Sequence, residues 1–130
     1  ALGLKMKLAK SAWARSREAD NSPLDYCQFF PDEGIVLNIT PGESSSPLFH
    51  VWGCHYIDRG LGQVWTSLGP KHKWNDESYS IDGTRLLWTT SSGKTLIFDS
   101  IDESELPVET MKFRQLYFHR LVTERITPPA

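Results

Sequence analysis

The chain has 130 residues, 39% of them hydrophobic and 23% charged, with 14 lysines and arginines against 16 aspartates and glutamates, for a formal charge of −2. That length suits one domain over residues 1–130, able to bury a core without staples, and the near-neutral balance gives the molecule no electrostatic reason to seek nucleic acid. Two cysteines, Cys27 and Cys54, make no disulfide scaffold and read as thiols, and no run approaches the ~18 apolar residues of a membrane span, so a cytoplasmic protein is expected.

Residues 2–8 fit two periods. Leu2, Leu4, Met6 and Leu8 alternate, whereas Leu2, Met6, Ala9 and Trp13 share a helical face, and the good helix formers favour a short N-terminal helix over about the first ten residues. Lys5, Lys7, Lys10, Arg15 and Arg17 all precede the first acid, Glu18, and read as a solvated face. Residues 18–24 are a connection; 26–30 and 35–39 flank Pro31-Asp32-Glu33-Gly34 as a hairpin; and the serine-rich stretch 41–47, closed by prolines, is a surface loop.

Residues 48–58 give the longest strand. Phe49, Val51, His55 and Ile57 share one face and His50, Trp52, Cys54, Tyr56 and Asp58 the other, so both faces carry large apolar groups. Arg59-Gly60-Leu61-Gly62 turns into a strand over 63–68, and residues 69–73 turn again. Residues 77–99 form a meander of three short strands with turns at Asp82-Gly83 and Ser91-Ser92-Gly93-Lys94. An acidic loop follows at 102–107, then an apolar and aromatic run over 111–122, read as a last strand with a bulge or two buried faces. Summed, the pattern predicts an all-β domain, an antiparallel up-and-down barrel of about eight strands with a short N-terminal helix.

The segment Lys10-Ser11-Ala12-Trp13-Ala14-Arg15-Ser16, followed by hairpins and a late meander, resembles the opening of small lipocalin-like (calycin) domains. In that family the first strand carries a tryptophan that closes one barrel end, with a glycine two positions before it; here that position is Ser11. The resemblance implies a strand over 11–17 beginning at about Ser11, a cap from the first ten residues, and a late basic residue, Arg114, Arg120 or Arg125, packed across Trp13.

His50, Cys54 and His55 are metal-ligand types within six residues, but a strand sets His50 and Cys54 about 13 Å apart and turns His55 away, so no metal site is expected. The same geometry denies Cys54 a histidine base. Five tryptophans, four tyrosines and six phenylalanines suit an aromatic core or the walls of a pocket. If a pocket, its candidate liners are Trp52, Tyr56, Trp65, Tyr79 and Trp88, with His50 or Arg85 as polar contacts. Lys71-His72-Lys73-Trp74 reads as a solvated turn or an anion-binding rim.

The function expected is binding of a small, mainly apolar molecule in the barrel interior, without catalysis and without a cofactor. The rival is a structural or interaction module with a solid core, self-associating through an edge strand. A third reading is an enzyme using His50 or His72 with Asp58 or Asp76 as an acid/base pair. The residues for it are present, but no arrangement is.

Overall fold

The computed structural model describes residues 11–15, 25–42 and 49–129. Eight strands succeed one another: β1 (Ser11–Arg15), β2 (Asp25–Phe30), β3 (Ile35–Pro41), β4 (Phe49–Gly60), β5 (Gln63–Ser67), β6 (Asn75–Asp82), β7 (Arg85–Thr89) and β8 (Thr95–Ile101). Each pairs antiparallel with the next, and β8 returns to β1 from Ala12↔Ile101 to Arg15↔Phe98, which closes an up-and-down barrel. Closure has a direct consequence: among the described strands each has a neighbour on both sides.

Strand periodicity sends alternate residues inward. Trp13, Cys27, Phe29, Val36, Cys54, Tyr56, Val64, Tyr79, Leu86, Trp88 and Phe98 meet inside as one apolar cluster. Two turns at one end show how the hairpins close. Gly83 (φ 62°) sits in the tight turn that sets Asp82 opposite Arg85, and Gly60 (φ 85°) and Gly62 (φ 79°) bracket Leu61 (φ 56°) between β4 and β5. Asp58 Oδ1 accepts the Gly60 N–H at 2.9 Å, fixing the bulge there.

After β8 two short 3-10 turns, Glu103–Glu105 and Val108–Thr110, lead into α1 (Met111–Thr123). The stretch read from sequence as a last strand is therefore a helix. Its residues Arg114, Tyr117, Phe118 and Leu121, spaced i, i+3, i+4, i+7, are the ones turned toward the barrel, and they contain no glycine or proline to interrupt them. Exposed Met111, Phe113, Leu116 and Val122 on the other faces blur that period and imitate alternation at the start of the run.

The helix covers the outer face of β3 and β4. Leu121 packs with Ile35 and Leu37, joined by Phe30, Tyr117 and Phe118, and a second outer cluster gathers Ala12, Ile39, Val51 and Leu106. This explains why the longest strand is apolar on both faces: one lines the interior and the other lies under α1. Beyond the helix, His55 Nε2 donates to Glu124 Oε1 at 3.0 Å, and Trp74 Nε1 donates to the Thr127 carbonyl at 2.8 Å, which ties the C-terminal segment down. The expected N-terminal helix lies outside the described residues. Among the described residues no helix is long and apolar enough to cross a membrane.

Candidate functional site

Inward residues change character along the barrel axis. On β3 they run Val36, Asn38, Thr40; on β6, in the same direction, Tyr79, Glu77, Asn75; and on β7 and the turn after it, Leu86, Trp88, Thr90. One end is thus apolar and aromatic, and the other is polar. Between them lies a cavity of about 360 Å³ that extends to the polar residues Arg15, Asp25, Asn75 and Thr90.

The apolar end is filled by a chain of rings. Tyr79 stacks on Trp88 (centroids 6.0 Å apart, planes at 14°), Trp88 on Phe29 (5.7 Å, 30°), and Phe29 meets Tyr56 edge-on (5.5 Å, 88°). Such contacts each add about 0.5–1.5 kcal/mol beyond area burial, and they make a rigid floor. The Tyr79 hydroxyl donates to Asp58 Oδ2 at 2.6 Å, while the buried Tyr56 hydroxyl has no hydrogen-bond partner among the described residues. Burial pushes both phenols up; the Asp58 hydrogen bond adds to the shift of Tyr79, and the Asp58 charge to that of Tyr56.

Above the floor, Trp52 and Leu96 line the cavity with Phe98, and Cys27 and Cys54 face it from β2 and β4. Both thiols are free and, because β3 separates their strands, they are not cross-strand neighbours. Burial pushes Cys54 up to about 12, with the Glu77 charge adding to it, and raises Cys27 further, with a contribution from Cys54. At neutral pH both are protonated, hence poor nucleophiles.

Two charged groupings mark the polar end. Arg15 is ion-paired with Asp25 across β1 and β2. Nearly opposite in the ring of strands, Glu77 Oε1 accepts from Thr66 Oγ1 (3.0 Å) and Trp88 Nε1 (3.3 Å), and Oε2 accepts the Ser91 N–H (3.2 Å). One carboxylate thereby holds the indole of the cavity wall, a hydroxyl of β5 and the β7–β8 turn in a single geometry.

Comparison with family models, curated proteins and solved structures returns no match. The site therefore has to be read from its own residues.

Of the expected liners, Trp52 and Trp88 line the cavity, and Tyr56 and Tyr79 lie in its floor. Trp65 does not face it. Its neighbours Val64 and Thr66 point inward, so the indole lies outside, with the Arg59 guanidinium 4.2 Å over its ring and its N–H donated to Asp76 Oδ1 at 2.7 Å. Arg85 is also on the outer surface, 3.2 Å from Asp99, its opposite residue on β8. His50 is exposed at the polar end of β4, eight residues and about 26 Å of strand from Asp58, so these two do not form an acid/base pair. Asp76 is engaged with Trp65 on the outside, and His72 is exposed in the β5–β6 turn.

Trp13 is in β1 and inside the barrel. The late arginines have other occupations: Arg114 donates to Thr110 Oγ1 at 3.0 Å and reaches Gln28 Oε1 at 3.5 Å, Arg120 lies over the Tyr117 ring, and Arg125 is exposed. Burial lowers the Arg114 pKa. Among the described residues no group of three or more His, Cys, Asp or Glu is placed to hold a metal ion. Sequence reasoning passed over Glu77, Thr66 and the Arg15–Asp25 pair. A signal for Glu77 was available, since it shares the inward parity of Tyr79 on β6.

Proposed function

We propose that this domain binds a small, mainly apolar molecule in the open part of the barrel and releases it unchanged. The observation that carries the reading is the cavity of about 360 Å³, within the roughly 300–1,000 Å³ usual for small-molecule pockets. Its wall is mainly apolar, with aromatic surface from Trp52, Trp88 and Phe29, and its charged lining residues, Arg15, Asp25 and Glu77, belong to the polar end. That distribution favours a ligand whose body is apolar and whose polar end stays near solvent. The interaction-module reading called for a filled interior, and the open volume weighs against it.

Likeness to lipocalin-like domains belongs to the same proposal and rests on the strand count, the up-and-down order and the inward Trp13. So does a cytoplasmic setting, which the two free buried thiols suit. Titration with 1-ethylnaphthalene by calorimetry is the test, on wild type and on Trp52→Ala. Wild type should bind a single equivalent, and Trp52→Ala should bind about tenfold or more weakly, because truncating an aromatic anchor typically costs above 1.4 kcal/mol. Circular dichroism establishes that the variant is folded. Absence of binding to folded wild type, or identical affinity in folded Trp52→Ala, would overturn the proposal.

A further inference from the structure

Glu77 is an unusual residue to find inside a mainly apolar cavity. Its carboxylate is half-buried, its three hydrogen-bond donors (Thr66, Trp88 and the Ser91 backbone) are all neutral, and no Lys, Arg or His of the described residues lies within ion-pairing distance. The other charged residues on the cavity wall, Arg15 and Asp25, are paired with each other, so the described wall carries one negative charge in excess. Neutral donors orient a carboxylate without cancelling its charge. A carboxylate offers about four acceptor positions, and three are used here, two on Oε1 and one on Oε2, which leaves a position on Oε2.

The surroundings reinforce that field. Trp52 lines the same space as Glu77, and indole rings attract cations. In a partly enclosed site of low effective dielectric, salt screens such a charge less than at the surface.

We infer that the cavity selects ligands with an apolar, preferably aromatic body and a cationic head, an amine of the arylalkylammonium class, and that Glu77 is the counter-ion. The inference rests on the proposed binding function and deepens it. The apolar body lies against Trp52 and Phe29 above the ring-filled floor, and the ammonium takes the open position of Glu77 near the mouth. An anionic ligand of the same shape is rejected, because it would face Glu77 while Arg15 is already matched by Asp25.

Three probes with one aromatic body separate this inference from the reading beneath it: 2-(1-naphthyl)ethylammonium, 1-ethylnaphthalene and 1-naphthylacetate, titrated calorimetrically into wild type at neutral pH. The ammonium should bind about tenfold or more tightly than the neutral probe, as a charge-assisted contact would give, and the carboxylate more weakly than either. Glu77→Gln keeps an acceptor for Thr66 and Trp88 but not for the Ser91 N–H, so both affinities can change; the ratio of ammonium to neutral-probe affinity should fall close to one. If wild type binds 1-ethylnaphthalene and the ammonium no better, the charge selection is wrong while the binding function stands. If none of the three binds, both fall. The wild-type comparison decides even if Glu77→Gln does not fold.

Discussion

Gly53→Ala probes the seating of α1 on the barrel, the feature that gives β4 two buried faces. A methyl at Gly53 would stand 2.8 Å from Leu121 Cδ1, 3.0 Å from Leu37 Cδ2 and 3.0 Å from the Val36 carbonyl oxygen. The carbonyl belongs to the β3–β4 ladder and cannot yield without disturbing it, so the strain falls on the two leucines and on the tilt of the helix. Overpacking of this kind costs about 1–3 kcal/mol. Urea denaturation should show a lower midpoint at unchanged slope. Leu121→Ala alone, at a side chain 3% exposed, should cost about 2–5 kcal/mol. The double variant should lose roughly 1 kcal/mol less than the sum, because removing Leu121 Cδ1 frees the closest contact. A Gly53→Ala variant as stable as wild type, or strictly additive losses, would refute the placement of α1.

Tyr56→Phe removes a buried hydroxyl that has no hydrogen-bond partner among the described residues, and should raise stability by about 1 kcal/mol in the same assay; a loss of similar size would mean that the hydroxyl is satisfied. Stability should also fall in alkali. The Cys54 thiol holds its proton to about 12 when folded against 9.0 otherwise, so above about pH 9 the unfolded chain binds fewer protons than the folded one. The stabilisation is complete below that pH and is lost as pH rises, by up to about 1.4 kcal/mol per pH unit for each such group. Cys27, Tyr56 and Tyr79, all raised, steepen the decline. Urea midpoints that stay flat from about pH 8 to 11 would contradict the burial of these four groups.

Much of the barrel was legible because strands announce themselves locally. Alternation in β4, the Asp82-Gly83 turn and the meander behind it each carry their own signal, and together they give the all-β class and antiparallel order. Closure is not a local property: it depends on β1 meeting β8 across more than eighty residues of chain. The helix escaped for a related reason. Its buried stripe is narrow, its other faces retain Met111, Phe113, Leu116 and Val122, and its reason for forming is the apolar outer face of β3 and β4. That face was visible in Ile35-Val36-Leu37 and in the two-sided β4, but as an unexplained surplus.

Legibility of the site followed the same division. Alternation along residues 48–58 put Trp52 and Tyr56 on one face, and the structure turns that face inward, together with Tyr79 and Trp88. Trp65 and Arg85 were misplaced because an aromatic ring or a long cation says nothing about its own face until the strand register is fixed, and the neighbours Val64 and Leu86 take the inward positions. Glu77 was overlooked because a carboxylate is ordinarily a surface residue; what brings it inside is its parity with Tyr79 and the donors that three other segments supply.

The central claim is that a small molecule enters the barrel from its polar end, and two-dimensional NMR of the labelled protein during titration with 1-ethylnaphthalene tests it most directly. The account predicts shifts in the indole N–H signals of Trp52 and Trp88 and in the backbone amides of Asn38, Thr66 and Ser91, saturating together at one equivalent, while the Trp65 indole on the outer surface stays still. Shifts confined to the exposed face of α1, around Phe113 and Leu116, or no shifts at all, would contradict it.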